Sequence, residues 1–209
     1  MNRRQFVATG LAGIGTLTAG CNVLATSSTR LGEPTISLED EGTEKHLTYR
    51  HEGTPVAVLS LDQGRRQAAP MDPFPLAVHV AHGDALEADG PTTSIRQFRV
   101  ALRVPRGPGR PPAGIYVAPP GGEAWPAMTY ETTDDGWTVV AADGLGGDGP
   151  GRGTLTVETQ IEPMGASVDH VRCQFEATLA DGSRQYVVDD TDVAFEPAVA
   201  SDPLESRHG

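Results

Sequence analysis

Two segments of the chain alternate apolar and mainly polar side chains over at least seven residues. Phe98 to Val104 and Val171 to Leu179 each carry an apolar residue at every second position. Successive side chains of a strand point to opposite faces of a sheet, so a period of two predicts half-buried β-strands. After the N-terminal segment, no stretch keeps a helical apolar period over three turns. The alternation therefore predicts a fold built from sheets.

Shorter apolar pairs in the same phase predict further strands. They are Leu47 with Tyr49, Val56 with Val58, Leu76 with Val78, Ile115 with Val117, Trp137 with Val139, and Leu155 with Val157 and Ile161. The dipeptides Glu52-Gly53, Asp135-Gly136 and Asp181-Gly182 separate neighbouring runs, as in β-hairpins. Nine or ten short strands with such turns, in a chain holding 25 Gly and 17 Pro, predict an all-β fold: a single antiparallel β-sandwich.

The strand and turn pattern resembles the immunoglobulin-like sandwiches common on exported proteins. The resemblance is one of pattern, because the cysteine pair and core tryptophan of a true immunoglobulin domain are missing. It implies a two-sheet body and no particular activity.

The N-terminus has the layout of an export signal. Arg3 and Arg4 precede a short apolar run of small residues, with no acidic residue before Cys21. The paired arginines resemble the twin-arginine signal, and residues 17–21 resemble the lipobox of exported lipoproteins. This resemblance implies cleavage before Cys21, a lipid on its thiol, and a position on the extracellular side of the cell membrane. The alternative is an ordinary Cys21 thiol in an uncleaved signal anchor.

These features divide the chain into four parts. We expect a signal peptide over 1–20 and a lipid-anchored polar linker over 21–32. The sandwich is expected over 33–197, and a flexible C-terminal tail over 198–209.

The charge balance limits the partners. The chain has 28 Asp and Glu against 16 Lys and Arg, a net charge of −12, which excludes nucleic acid as a partner. Loss of the signal, which contains Arg3 and Arg4 and no acidic residue, would make the net charge −14. Lys45 is the single lysine, a composition that resembles proteins of salt-loving archaea. A high-GC bacterial genome that favours arginine codons is the alternative.

Two acidic segments are candidate cation sites. Asp143 and Asp148 flank a glycine-rich run that could wrap calcium, or form a flexible turn. Asp189, Asp190 and Asp192 lie where the apolar phase of a strand changes, which predicts a β-bulge. Three carboxylates at a bend could bind a cation, although a solvated edge that discourages strand pairing is the alternative.

The histidines and Cys173 predict no metal or catalytic site. Odd spacings place His46 and His51, and likewise His79 and His82, on opposite faces of their strands, so no zinc site is expected. Cys173 is in phase with core residues and is predicted to be a small buried side chain. The sequence contains no GxSxG, HExxH or CxxC motif.

The sequence thus predicts a membrane-tethered, non-catalytic binding or envelope-support module. It needs no cofactor, with calcium as the one candidate ion, and its partner would be a protein or another part of the envelope. The alternative is an extracellular metal-dependent hydrolase whose site is assembled from loops.

Overall fold

The computed structural model describes residues 27–86, 92–105, 113–118, 128–145, 154–182 and 184–200. The predicted export signal with Arg3 and Arg4, the predicted lipobox with Cys21, and Asp148 lie outside these ranges. Within them the chain forms twelve strands and two single 3₁₀ turns, Asp40–Gly42 and Gly83–Ala85. The strands are β1 Ser27–Arg30, β2 Thr35–Glu39, β3 Glu44–His51, β4 Thr54–Asp62, β5 Phe74–His82, β6 Ser94–Arg103, β7 Ala113–Val117, β8 Met128–Thr132, β9 Thr138–Asp143, β10 Thr154–Pro163, β11 Val171–Asp181 and β12 Arg184–Phe195.

The strands form two six-stranded sheets. Sheet A has the order β1-β12-β11-β6-β9-β8, and sheet B has the order β2-β3-β4-β5-β10-β7. The two sheets pack as a sandwich, which confirms the predicted fold class. Neighbouring strands are antiparallel except β1 and β12, which pair in parallel. No sequence pattern predicted that parallel pair.

The core consists of the inward-facing residues of both sheets. Its largest fully buried side chains are Tyr49, Phe74, Phe98, Phe175, Phe195, Leu47, Leu59, Leu61, Leu76, Ile95, Leu102 and Leu155. Tyr49 and Phe175 meet across the sandwich with ring centroids 6.4 Å apart. Cys173 is fully buried among these residues, as predicted.

The predicted turns and bulge are present. Glu52 and Gly53 both have positive φ, 50° and 85°, as a two-residue hairpin between β3 and β4 requires. In β12 the register slips by one residue, because Phe175 pairs with Thr191 while Ala177 pairs with Val188. The extra residue lies at Asp189 and Asp190, where the change of apolar phase predicted a bulge.

The sandwich has two distinct ends. We call one of them the near end. There β1 begins at Ser27, which pairs with Arg184 just after the β11–β12 turn. The Glu52-Gly53 turn lies at this end, since His51 on β3 packs against Tyr186 on β12. The far end contains the pair Glu44 and Asp62.

The ordered body extends beyond the expected boundaries. Strand β1 lies inside the segment 21–32 that was expected to be a linker, because its backbone pairs with β12 and Leu31 enters the core. At the C-terminus, where a tail was expected from residue 198, Gln67 bonds with the backbone of Ala198 and Ala200. Buried Gln63 also bonds with both backbone groups of Ala198, so the sandwich continues to residue 200.

No helix in the described part of the chain is long and apolar enough to cross a membrane.

Candidate functional site: a histidine and carboxylate patch on sheet B

Histidines and carboxylates lie side by side on the outer face of sheet B. Strand register aligns His46 with Ser60, and Ser60 with His79, across β3, β4 and β5. In the adjacent row, towards the far end, Glu39 pairs with Glu44, and Glu44 with Asp62. We call these six residues the sheet B patch: Glu39, Glu44, His46, Ser60, Asp62 and His79.

Period-two alternation places the patch on the outside. Leu47 and Tyr49 point from β3 into the core. Glu44 and His46 occupy the other phase of the strand and therefore face outward. The same holds for Ser60 between the buried Leu59 and Leu61. Each strand therefore contributes its polar phase to one continuous outer surface.

His46 is held on both sides of its ring. Its Nδ1 lies 2.8 Å from Ser60 Oγ, within hydrogen-bond distance. Its Nε2 lies 3.2 Å from Glu44 Oε1 and 3.6 Å from Glu39 Oε2. Nε2 is itself buried and makes no hydrogen bond of acceptable geometry. The ring is thus oriented by Ser60 and directs Nε2 at two carboxylates.

His79 has a similar but looser environment. Its Nδ1 lies 2.9 Å from Thr156 Oγ1 on β10, and its Nε2 lies 3.9 Å from Asp62 Oδ2. Asp62 also accepts a hydrogen bond from the Gly64 backbone N–H at 2.6 Å. Asp62 is therefore already used in a local turn, and His79 faces one carboxylate where His46 faces two.

The order Ser60, His46, Glu44 superficially resembles a nucleophile, base and acid. Acyl-transfer enzymes also need N–H groups free to stabilise an oxyanion. Strand β4 is paired on both sides, with β3 and β5, so the backbone around Ser60 is committed to the sheet. The arrangement suits the binding of a ligand or ion better than nucleophilic attack.

The acidic residues singled out from the sequence are not gathered into one site. Asp143 lies exposed at the near end, where β9 ends. Asp189 makes an ion pair with Arg30 at 2.5 Å, and Asp192 pairs with Arg172. Arginine partners therefore already neutralise Asp189 and Asp192. The side chain of Asp190, like the whole of Asp148, lies outside the described residues.

The predicted split of His79 from His82 is confirmed. His82 is buried and its Nδ1 lies 3.1 Å from the Thr93 carbonyl oxygen, whereas His79 faces outward. The patch was not predicted, because spacing within a single strand does not show which residues of neighbouring strands lie side by side. One sequence signal for the patch was available. Glu44 and His46 on β3, and Ser60 and Asp62 on β4, alternate with the inward-facing residues of their strands. Only the register brings these pairs together.

A two-sheet sandwich with a polar patch on one outer face defines the class of this protein. The chain belongs to the family described as Domain of unknown function (DUF8121), whose model matches residues 28–197. No curated protein matches the chain.

The solved structures that are similar to it include the following three, each at 11% identity. The human F-spondin reeler domain (fragment 1) matches with a TM-score of 0.39, covering 85% of this chain and 99% of that one. The Reelin-N domain of F-spondin also has a TM-score of 0.39, covering 86% and 96%. A structure from a study of Streptococcus parasanguinis adhesion by Fap1 fimbriae has a TM-score of 0.33, covering 71% and 84%.

Proposed function

We propose that this protein is an exported, lipid-anchored, non-catalytic binding module on the extracellular side of the cell membrane. Cys21 would carry the lipid, and the sheet B patch would be the surface that meets a protein or another envelope component. The resemblance of the N-terminus to a twin-arginine lipoprotein signal supports the first part. The concentration of polar, oriented side chains on one face supports the second.

The observation that carries the proposal is where the chain enters the sandwich. Strand β1 begins at Ser27, only six positions after Cys21. Six extended residues span at most about 22 Å, so a lipid on Cys21 would hold the near end close to the bilayer. Two acyl chains would make that attachment durable.

The sheet B patch would then be held away from the membrane. Glu44 is at the opposite end of β3 from the Glu52-Gly53 turn. Seven residues of extended strand separate them by about 23 Å. A surface raised in this way is available to a partner in the extracellular space.

A non-catalytic role agrees with the chemistry of the described residues. The Cys173 thiol is buried in the core, where burial raises its pKa to about 12, so it is a poor nucleophile. Ser60 has no free backbone donors around it to stabilise an oxyanion. The family itself has no assigned function.

Substitution of the lipid-bearing thiol tests the proposal. We expect Cys21→Ser to move the protein from the membrane fraction to the medium, because the serine hydroxyl cannot accept the lipid. Cys173→Ala is the matched control, since it removes the other cysteine and should leave the protein in the membrane. A Cys21→Ser variant that stays membrane-bound would disprove the anchor.

A further inference from the structure

Three ligand atoms of the sheet B patch converge on one point. Among the described residues, Glu39, Glu44 and His46 form a group whose possible ligand atoms all lie within 4.8 Å of one another. We propose that these residues form a site for a divalent transition-metal ion of the Zn²⁺ class. The inference adds an ion to the proposed binding module and does not depend on how the module is anchored.

The distances fit a metal ion between the three side chains. Zn²⁺ binds nitrogen and carboxylate oxygen at about 2.0–2.2 Å, so two of its tetrahedral ligands lie about 3.4 Å apart. The distances from His46 Nε2 to Glu44 Oε1 and to Glu39 Oε2 are 3.2 and 3.6 Å. Both distances are close to the spacing of two ligands on one tetrahedral zinc ion, and all three possible ligand atoms lie within 4.8 Å of one another.

Ser60 prepares the histidine as a ligand. When Nδ1–H donates to Ser60 Oγ, at 2.8 Å, the lone pair of Nε2 points to the carboxylates. Metal-binding histidines usually have such a partner on their other nitrogen. Nε2 is buried and makes no hydrogen bond, so in this tautomer its lone pair is available to a cation. Ser60 is thus a positioning residue.

Uncompensated negative charge also favours a cation here. Glu39 lies directly opposite Glu44, and Glu44 opposite Asp62, an arrangement in which like charges repel across strands. In the described part of the chain, His46 is the one basic side chain within ion-pair distance of Glu39 and Glu44, and it compensates their charge only when it is protonated. Lys45 on the same strand donates instead to the Ala194 carbonyl.

The donor set selects the class of ion. One imidazole with two carboxylates suits zinc and its neighbours, whereas calcium prefers six to eight oxygen ligands. The Glu39 side chain is 60% exposed, so the side of the site that faces solvent is open. A water molecule or a donor group from a partner would complete the coordination there.

Equilibrium dialysis of the full chain against Zn²⁺, followed by elemental analysis, tests the site. The protein should carry no affinity tag, because tag histidines bind zinc. We expect one Zn²⁺ per chain, and at least tenfold weaker binding in His46→Gln and in Glu44→Gln. Ser60→Ala should weaken binding about tenfold through loss of the orienting hydrogen bond.

His79→Gln is the matched control. It lies on the same face and also bonds to a hydroxyl, but it faces a single carboxylate, so zinc binding should be unchanged. Circular dichroism without metal checks that each variant is folded. If His46→Gln does not fold, Glu44→Gln alone tests the site. Failure to bind stoichiometric zinc, or equal losses in His79→Gln and His46→Gln, would overturn the proposal. Calcium binding in place of zinc would overturn the assigned class of ion.

Discussion

The Cys173 thiol shows how strongly one residue can depend on its surroundings. Its side chain is fully buried on β11, between β6 and β12, and desolvation raises its pKa from 9.0 to about 12. Tyr49, also buried, has its pKa raised from 10.0 to about 12 for the same reason. Both groups are neutral in the folded protein at neutral pH.

These two raised pKa values predict alkaline destabilisation. The unfolded chain releases these protons above about pH 9 while the folded chain keeps them, so the free energy of unfolding falls as pH rises towards 12. We expect a lower urea midpoint at about pH 10.5 than at pH 7, and a smaller drop in Cys173→Ala. Fast reaction of Cys173 with a thiol reagent in the native protein at neutral pH would contradict the account.

At the scale of elements, hairpins set the register that builds the sheet B patch. Gly53 has φ of +85°, and a Cβ built there meets no atom within 4 Å. Any cost of an alanine at this position therefore comes from the backbone and not from a clash.

We expect Gly53→Ala to lower the free energy of unfolding by about 1 kcal/mol, because a residue with a Cβ is sterically strained in the left-handed backbone conformation. Urea denaturation measures the change. Gly32→Ala is the matched control, since Gly32 also has open space around its Cβ and no positive φ. Equal effects in the two variants would refute the turn argument.

The same scale explains what could be predicted from sequence. Alternation identified β6 and β11 because each has one buried face and one mainly polar face, and the phase change identified the bulge at Asp189. Strand β1, Ser27–Arg30, has no apolar alternation and exists through backbone pairing with β12, so no local signal marked it. The patch escaped prediction because His46, Ser60 and His79 come from three strands, and their alignment depends on register.

For the whole molecule, the dominant property is charge. With a net charge of −12, the excess acidic side chains repel one another in the folded state, and salt screens that repulsion. With Lys45 as the single lysine, nearly all of the positive charge is arginine, and five arginines of the described residues form ion pairs, such as Arg30 with Asp189.

We expect the melting temperature to rise by several degrees between about 0.1 M and about 2 M KCl, because the Debye length falls below 3 Å. Sucrose at equal osmolality controls for exclusion of solutes from the surface and should have a smaller effect. A melting temperature that falls with KCl would show that the ion pairs outweigh the repulsion.

In the proposed arrangement, a lipid on Cys21 would hold the near end of the sandwich at the membrane and leave the far end free. Cys173 is buried, so a cysteine introduced at exposed Glu52 or exposed Met164 can be labelled alone in the lipidated protein. Energy transfer from each label to an acceptor in the bilayer measures its height. We predict that the label at 52 lies near the bilayer and that the label at 164 lies about 25 Å higher, from the length of the strands between the two ends. Equal heights, or a lower label at 164, would contradict the account.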